Sequence, residues 1–229
     1  MDILRNLTYL AEALPCILCI IFCKKIITKD MKVFFFYSIL LITCLSFLLF
    51  FTFVLHSDSL TYIVMRFFIY IEFVSLGLFY YNNIVIGFKK QILVFSSIAF
   101  FFYSFYDYFV SKSNKFSYYP LVIECFFFLI VIIYFFYEKM RYSVATPVYQ
   151  SPSFWISVAF LIYFSGNFFQ FLYSDPKYAT PQFIDLLNIV YDIVTIIKDI
   201  LLCIAVIVNN QQKKQVIMPN MPIGIDIKF

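Results

Sequence analysis

Seven long apolar stretches, separated by short polar segments, make up most of the chain. Each has about 20 residues or more, enough for a helix rising 1.5 Å per residue to cross about 30 Å of hydrocarbon. Runs such as Phe34-Phe35-Phe36 lack the polar–apolar alternation of outer-membrane barrel strands. The pattern predicts an all-α fold, a polytopic membrane bundle of seven transmembrane helices. The predicted spans are Ile3–Cys23, Val33–Leu55, Leu60–Tyr81, Gln91–Val110, Phe116–Tyr137, Pro152–Tyr173 and Pro181–Val208.

The composition favours the same class of protein. Of the 229 residues, 63% are hydrophobic and 13% are charged, whereas a soluble domain has about 45–50% apolar and about 25% charged residues. This disfavours a soluble globular enzyme, a disordered tail and a nucleic-acid binder. The six cysteines lie inside apolar stretches, where they are expected to behave as small hydrophobic residues.

Lysine and arginine are distributed unevenly over the connections between the spans. The connections on one side hold eleven of the 17 basic residues and those on the other side hold four, while Arg66 and Lys198 lie inside spans. Because short loops rich in positive charge stay in the cytoplasm, we predict that the amino terminus is outside and the carboxyl terminus cytoplasmic, in a cell inner membrane. Residues 1–208 would form the transmembrane domain and residues 209–229 a short cytoplasmic tail.

Ionisable and amide side chains recur inside the predicted spans at helical spacing. The seventh span carries a stripe in steps of three and four residues, which keeps its members on one helix face. The stripe comprises Asp185, Asn188, Asp192, Thr195 and Asp199. Charge at lipid depth is costly and therefore faces the bundle interior. With the amino terminus outside, most such groups fall in the outer half of the membrane, which predicts a hydrated polar cavity open to the outside.

The third span carries two opposite charges that cannot pair well with each other. Arg66 and Glu72 are six residues apart, about 120° around the helix, so each is expected to find its partner on another helix.

The candidate ligand-binding residues are chosen by their predicted depth in the membrane and by the helix face on which they lie. They are Glu12, Arg66, Tyr70, Glu72, Glu124, Tyr163, Asn167, Asp185, Asn188 and Asp192. Arg66 would hold an anionic group, the carboxylates would hold a cation or an ammonium group, and Tyr70 and Tyr163 would form walls. The alternative is that the same groups make structural hydrogen bonds and ion pairs that hold the helices together.

The sequence lacks the residue sets that usually carry catalysis or bind metal. His56 is its single histidine, so neither a multi-histidine metal centre nor a Ser-His-Asp triad can form. Cys16 and Cys19 have no second cysteine pair to complete a zinc site, and the four glycines form no phosphate-binding loop. We therefore expect no enzyme activity, no metal and no cofactor, and we expect His56 to be a solvated loop residue.

Two stretches carry a family resemblance. In the third span, RFFIYIEFVSLGLFYYNN contains an aromatic-Tyr-x-x-Glu-Phe pattern, and in the sixth, SPSFWISVAFLIYFSGNFFQFLYS contains Pro-x-Phe-Trp-Ile followed by Tyr-Phe-Ser-Gly. Together they resemble a family of small seven-helix inner-membrane proteins of Bacteroidota that has no established activity. The resemblance implies a lineage and a topology and transfers no mechanism. Its motif positions are Tyr70, Glu72, Phe73, Pro152, Phe154, Trp155, Tyr163, Ser165 and Gly166.

These features lead us to expect a receptor-like, signal-transducing membrane protein. A small ligand, of unknown identity, would bind in the outer cavity, and a shift in helix packing would reach a cytoplasmic or membrane signalling partner. The expected partners are thus the lipid bilayer, a ligand and a signalling protein, without nucleic acid. Two alternatives remain open: a transporter or ion/proton pathway along the seventh span, and a structural subunit of a membrane complex. A proton relay needs polar residues through the inner half on several helices.

Overall fold

The computed structural model describes residues 2–22, 29–110, 118–142, 147–173 and 180–217. Within these ranges the secondary structure is helical, and no strand occurs. A π-helical turn, Tyr106–Val110, follows α4, and a 3₁₀ turn, Val148–Gln150, precedes α6. The α-helices are α1 (Asp2–Ile21), α2 (Lys29–Phe53), α3 (Asp58–Asn83), α4 (Gly87–Phe105), α5 (Tyr119–Tyr142), α6 (Pro152–Tyr173) and α7 (Pro181–Ile217).

Local sequence accounts for several helix ends. α6 and α7 begin at Pro152 and Pro181, where the missing N–H of proline costs little because the first turn has no acceptor for it. His56 lies exposed in the short α2–α3 turn with a φ of 47°, a left-handed conformation that histidine adopts more readily than most residues. The solvated loop position predicted for His56 is thus confirmed.

Two helices differ in extent from the predicted spans. The fourth span is divided between α4 and the π-helical turn that follows it. α7 continues to Ile217, so the first part of the predicted tail is a straight extension of the last helix.

Neighbouring helices in the chain also neighbour each other in space. α1 packs on α2, α2 on α3, α3 on α4, α4 on α5, α5 on α6 and α6 on α7, and α7 closes the ring against α1. α3 also reaches α5 across the middle. The helices alternate in direction, so the starts of α1, α3, α5 and α7 share one end of the bundle, called here the Arg5 end. The opposite end, where α2 and α4 begin, is the basic end.

Aromatic rings fill much of the interior. Phe73 of α3 stacks on Phe100 of α4 with ring centroids 3.9 Å apart, and Phe128 of α5 stacks on Phe164 of α6 at 5.4 Å. Offset ring pairs of this kind add to the free energy gained by burying their area.

The distribution of polarity is the reverse of that in a soluble domain. Large apolar side chains such as Phe95, 72% exposed, and Phe102, 68% exposed, cover the outside, while ionisable residues such as Glu72 and Lys198 are buried. In the described residues α1, α2, α3, α5 and α6 are long and apolar enough to cross a membrane. The chain is therefore a helical membrane protein.

Candidate functional site

A cavity of about 320 Å³ lies inside the half of the bundle nearer the Arg5 end. Residues from α1, α2, α3, α6 and α7 line it, together with Tyr118 and Leu121 at the start of α5. Its polar lining comprises Arg5, Thr8, Tyr9, Glu12, Glu72, Tyr118, Tyr163, Gln170, Asn188, Tyr191 and Asp192. Its apolar lining comprises Leu45, Leu48, Met65, Phe68, Ile69, Leu121 and Phe171. The volume lies at the lower end of the range of small-molecule sites, about 300–1,000 Å³.

Negative charge dominates the cavity wall. Three carboxyl groups, those of Glu12, Glu72 and Asp192, line it from three different helices, and among the described residues Arg5 is the one guanidinium in the lining. With three carboxyl groups and one guanidinium, the described lining is acidic. A wall of this charge favours a cationic guest over an anionic one.

Hydrogen bonds between helices hold the carboxylates and amides of the wall in place. The Tyr37 hydroxyl of α2 donates to Glu72 Oε1 at 3.0 Å, and Thr8 of α1 donates to Asp192 Oδ1 at 3.2 Å. Gln170 Nε2 of α6 donates to Asn188 Oδ1 of α7 at 3.4 Å. Because each bond joins two helices, the shape of the cavity is coupled to their packing.

A buried ion pair lies beyond the floor of the cavity. Lys198 Nζ is 3.3 Å from Asp199 Oδ1, and both side chains are almost fully buried. The same ammonium lies over the ring of Tyr163, 4.8 Å from its centroid. Its charge also interacts with the carboxylates of Glu12 and Glu72. Lys198 is thus an internal counter-ion for acidic groups that also face the cavity.

A smaller pocket of about 130 Å³, called here the arm, adjoins the cavity between α1, α2 and α3. It shares Glu12, Met65, Phe68 and Tyr191 with the main cavity, and Cys44 lies on its wall. The arm is mostly apolar apart from Glu12 and Tyr191. A guest that places a cationic group at Glu12 would therefore have room for an apolar substituent beside it.

One phenol at the end of the cavity lies outside the helices. Tyr118 precedes α5, and partial burial raises the pKa of its phenol above the ordinary value, with the neighbouring Tyr62 adding to the effect. At neutral pH the Tyr118 hydroxyl is therefore uncharged and leaves the charge of the wall to the three carboxylates and Arg5.

Arg66 and Tyr70 belong to a second polar cluster on the α4 side of α3. Arg66 Nη1 donates to the carbonyl oxygen of Tyr108 at 3.0 Å, and its guanidinium lies 5.1 Å from the centroid of the Tyr108 ring. The ring of Tyr70 meets that of Tyr108 edge-on at 6.4 Å. Arg66 therefore has a partner outside its own helix, as predicted. Its guanidinium binds Tyr108 in the π-helical turn and does not line the cavity.

The remaining predicted residues occupy three different environments. Glu12, Glu72, Tyr163, Asn188 and Asp192 line the cavity. Glu124 on α5 and Asn167 on α6 are almost fully buried and lie outside its lining, whereas Asp185 is exposed at the start of α7. The predicted set of ten thus divides into five cavity residues and five that lie elsewhere.

Sequence reasoning missed several cavity residues. Thr8 lies three residues after Arg5 and four before Glu12, so helical spacing could have revealed it. Tyr191 lies three residues after Asn188 and could have been found in the same way. Tyr37 sits among apolar residues of α2, and no pattern along that helix distinguishes its hydroxyl as a partner for Glu72.

No protein-family model, no curated protein and no solved structure matches the chain. The resemblance to a Bacteroidota family therefore stays a prediction. The cavity and its ionisable residues are the features from which a function can be inferred.

Proposed function

We propose that the chain is a receptor-like membrane protein that binds a small organic cation in the acidic cavity. It would cross the inner membrane seven times with the Arg5 end outside, in keeping with the uneven distribution of basic residues. The observation that carries the proposal is the convergence of Glu12, Glu72 and Asp192 on one cavity of about 320 Å³. A cavity of this size, with carboxylates on one side and an apolar arm on the other, suits an ammonium group on a small hydrophobic body.

Ligand binding would be coupled to helix packing through Lys198. The charge of the Lys198 ammonium, which is paired with Asp199, also acts on the carboxyl groups of Glu12 and Glu72. A ligand ammonium that approaches the same two carboxylates competes with Lys198 for them. Because a ligand shifts an equilibrium only by its differential affinity for the two states, this competition supplies a driving force for moving α7 relative to α1 and α3.

α7 would carry that movement to the other side of the membrane. The helix runs on to Ile217, about 28 Å beyond Lys198 at 1.5 Å per residue. A change in its tilt at Lys198 would displace its far end at the basic end of the bundle, where a signalling partner could detect it.

Thermal unfolding of the purified protein in detergent tests the proposal. The probes are methylammonium, choline and putrescine, compared with acetate and succinate as anions. We expect at least one of the three cations to raise the unfolding temperature in a concentration-dependent way, because a ligand that binds only the folded state stabilises it. Glu12→Gln should weaken that effect about ten- to hundredfold, the range for losing a hydrogen bond to a charged group.

Asp185→Asn is the matched control, since it removes an acidic charge from α7 at an exposed position. It should leave the response to cations unchanged. Equal stabilisation by cations and anions, or equal losses in Glu12→Gln and Asp185→Asn, would contradict the proposed site.

The second candidate function is a proton or ion pathway. The Lys198–Asp199 pair extends the polar groups beyond the cavity floor, and a further hydrogen bond, from Tyr80 to Ser157 at 3.3 Å, lies closer to the basic end. Along α3, Tyr80 is about 12 Å from Glu72, and Leu76 between them is buried and apolar. Proton flux in reconstituted vesicles that disappears in Asp192→Asn would favour the pathway over the receptor.

A further inference from the structure

Two apolar grooves flank the outward face of α3. One, of about 470 Å³, lies between α2 and α3, and the other, of about 410 Å³, lies between α3 and α4. Val74 and Leu78 line both grooves, and each is about half exposed. The two grooves therefore run side by side, separated by a single ridge of α3 side chains.

A lysine lies at the basic end of each groove. Lys32 is itself part of the wall of the α2–α3 groove. Lys90 Nζ lies 5.0 Å from the ring centroid of Tyr81, and Tyr81 lines the α3–α4 groove. α2 and α4 both begin at the basic end, so the two ammonium groups lie toward that end of the bundle, one beside each groove.

We infer that this face binds one anionic phospholipid with two acyl chains, one in each groove and the phosphate between Lys32 and Lys90. Two parallel apolar grooves match two acyl chains, and paired ammonium groups at one end match the negative charge of the headgroup. Basic sites at the cytoplasmic ends of transmembrane helices select anionic lipids in this way. The ligand differs in charge and position from the cation proposed for the interior cavity, so the two proposals stand independently.

Gly77 shows that the α3–α4 groove has unused space. A Cβ added at Gly77 would have the Ser97 hydroxyl as its nearest neighbour, at 3.8 Å, an ordinary contact distance. Gly77 is buried, so a side chain larger than a methyl group at this position would have to take its space from the groove or from the α3–α4 contact.

Native mass spectrometry of the detergent-purified protein tests the site, with phosphatidylglycerol and phosphatidylcholine of identical chains as probes. We expect a first equivalent of phosphatidylglycerol to bind more tightly than phosphatidylcholine. Lys32→Gln and Lys90→Gln should each weaken it about fivefold, the contribution of one basic residue near a lipid surface. Phosphatidylcholine binding should hardly change in either variant.

Lys89→Gln provides the matched control. Lys89 neighbours Lys90 in the chain, but its ammonium lies over the ring of Tyr134 on α5, 4.1 Å from the centroid. It should keep the wild-type affinity for phosphatidylglycerol. If Lys89→Gln and Lys90→Gln lose the same affinity, the attraction is a general property of the basic end and the proposed site is wrong.

Gly77→Phe tests the fit of the acyl chains. It should lower the affinity for phosphatidylglycerol. The affinity for single-chain lysophosphatidylglycerol, which needs only the α2–α3 groove, should stay the same. Unchanged phosphatidylglycerol binding in Gly77→Phe would overturn the two-groove arrangement. A dimer signal that replaces the lipid adducts would instead identify the face as a contact between two copies of the chain and would also overturn the proposal.

Discussion

At the scale of single residues, buried polar side chains depend on partners from other helices. The Tyr37 hydroxyl and the Glu72 carboxylate, each about 2% exposed, meet across the α2–α3 contact. Lys198 meets Asp199 on its own helix, and its charge interacts with those of Glu12 and Glu72 on two others. Because these groups are largely shielded from solvent, removing one partner leaves the other poorly compensated.

Tyr37→Phe is expected to destabilise the bundle by about 1 kcal/mol. The substitution removes the donor to Glu72 and leaves packing nearly unchanged, and hydrogen bonds between membrane helices contribute roughly 0.6–2 kcal/mol. SDS-induced unfolding in mixed micelles measures the loss. In a double-mutant cycle, Tyr37→Phe should cost much less in a Glu72→Gln background; strictly additive losses would show that the bond does not contribute.

Lys198→Met is expected to destabilise the bundle by about 3–5 kcal/mol, because it leaves buried carboxylates without their counter-ion. The same unfolding assay in detergent measures the change. Adding Asp199→Asn should restore part of the stability, since it removes one of the unpaired charges. A neutral effect of Lys198→Met alone would show that Glu12, Glu72 and Asp199 do not rely on this ammonium.

At the scale of helices, close packing of α6 on α7 fixes the position of the polar stripe. A Cβ at Gly166 would lie 2.7 Å and 3.0 Å from the two methyl carbons of Val194. Valine is stiff about χ1, so these methyl groups cannot rotate away. The small residue at position 166 therefore allows the close approach of α7.

Gly166→Ala is expected to destabilise the bundle by about 1–3 kcal/mol through overpacking. Val194→Ala in the same chain should recover most of the loss, as measured by SDS unfolding. Gly77→Ala is the control, because the nearest atom to its new Cβ is 3.8 Å away and the change should be close to neutral. Equal losses at the two glycines would show that the contact with Val194 is not responsible, since the higher helix propensity of alanine would by itself stabilise both variants.

A glutamate of α5 forms hydrogen bonds with the backbone of the connection between α3 and α4. The carboxylate of Glu138, 3% exposed, accepts hydrogen bonds from the backbone N–H groups of Val85 at 3.0 Å and Ile86 at 3.2 Å. Two amides that no helix satisfies thus find an acceptor on a third helix.

Glu138→Ala is expected to speed hydrogen exchange at Val85 and Ile86, since both amides lose their acceptor. Mass spectrometry of peptides covering the α3–α4 connection measures the rates. Glu138→Gln, which keeps one acceptor oxygen, should give an intermediate rate. Exchange that stays at the wild-type rate in Glu138→Ala would show that the carboxylate does not protect the connection.

At the scale of the whole molecule, the chain carries polarity inside and apolar side chains outside. The acidic cavity lies in the half toward the Arg5 end, whereas buried polar residues such as Asn83, Glu138 and Asn209 lie toward the basic end. Lys32 and Lys90 also lie at that end. This asymmetry gives the bundle a direction across the membrane, and the uneven loop charges predict which side is cytoplasmic.

The topology can be read with alkaline phosphatase fusions, since this enzyme is active only outside the cytoplasm. A fusion inserted between α4 and α5 should be active, and one inserted between α5 and α6 should be inactive. The reverse result would place the acidic cavity on the cytoplasmic side and would remove the receptor proposal. Activity from both insertions would contradict α5 as a span.

The sequence by itself determined that the chain is a helical membrane protein. Both signals, a run of about 20 apolar residues and a polar spacing that fits a helix, are properties of a local stretch of sequence and need no knowledge of the tertiary structure. The same local rules put Glu12, Asn188 and Asp192 on inward faces, which the structure bears out. Only the tertiary structure decided which polar residues meet. Spacing fixes which side chains share a face, but the rotation of each helix against its neighbours depends on packing such as that of Gly166 on Val194. That packing brought Tyr37 to Glu72, turned Arg66 toward α4 and left Asp185 exposed.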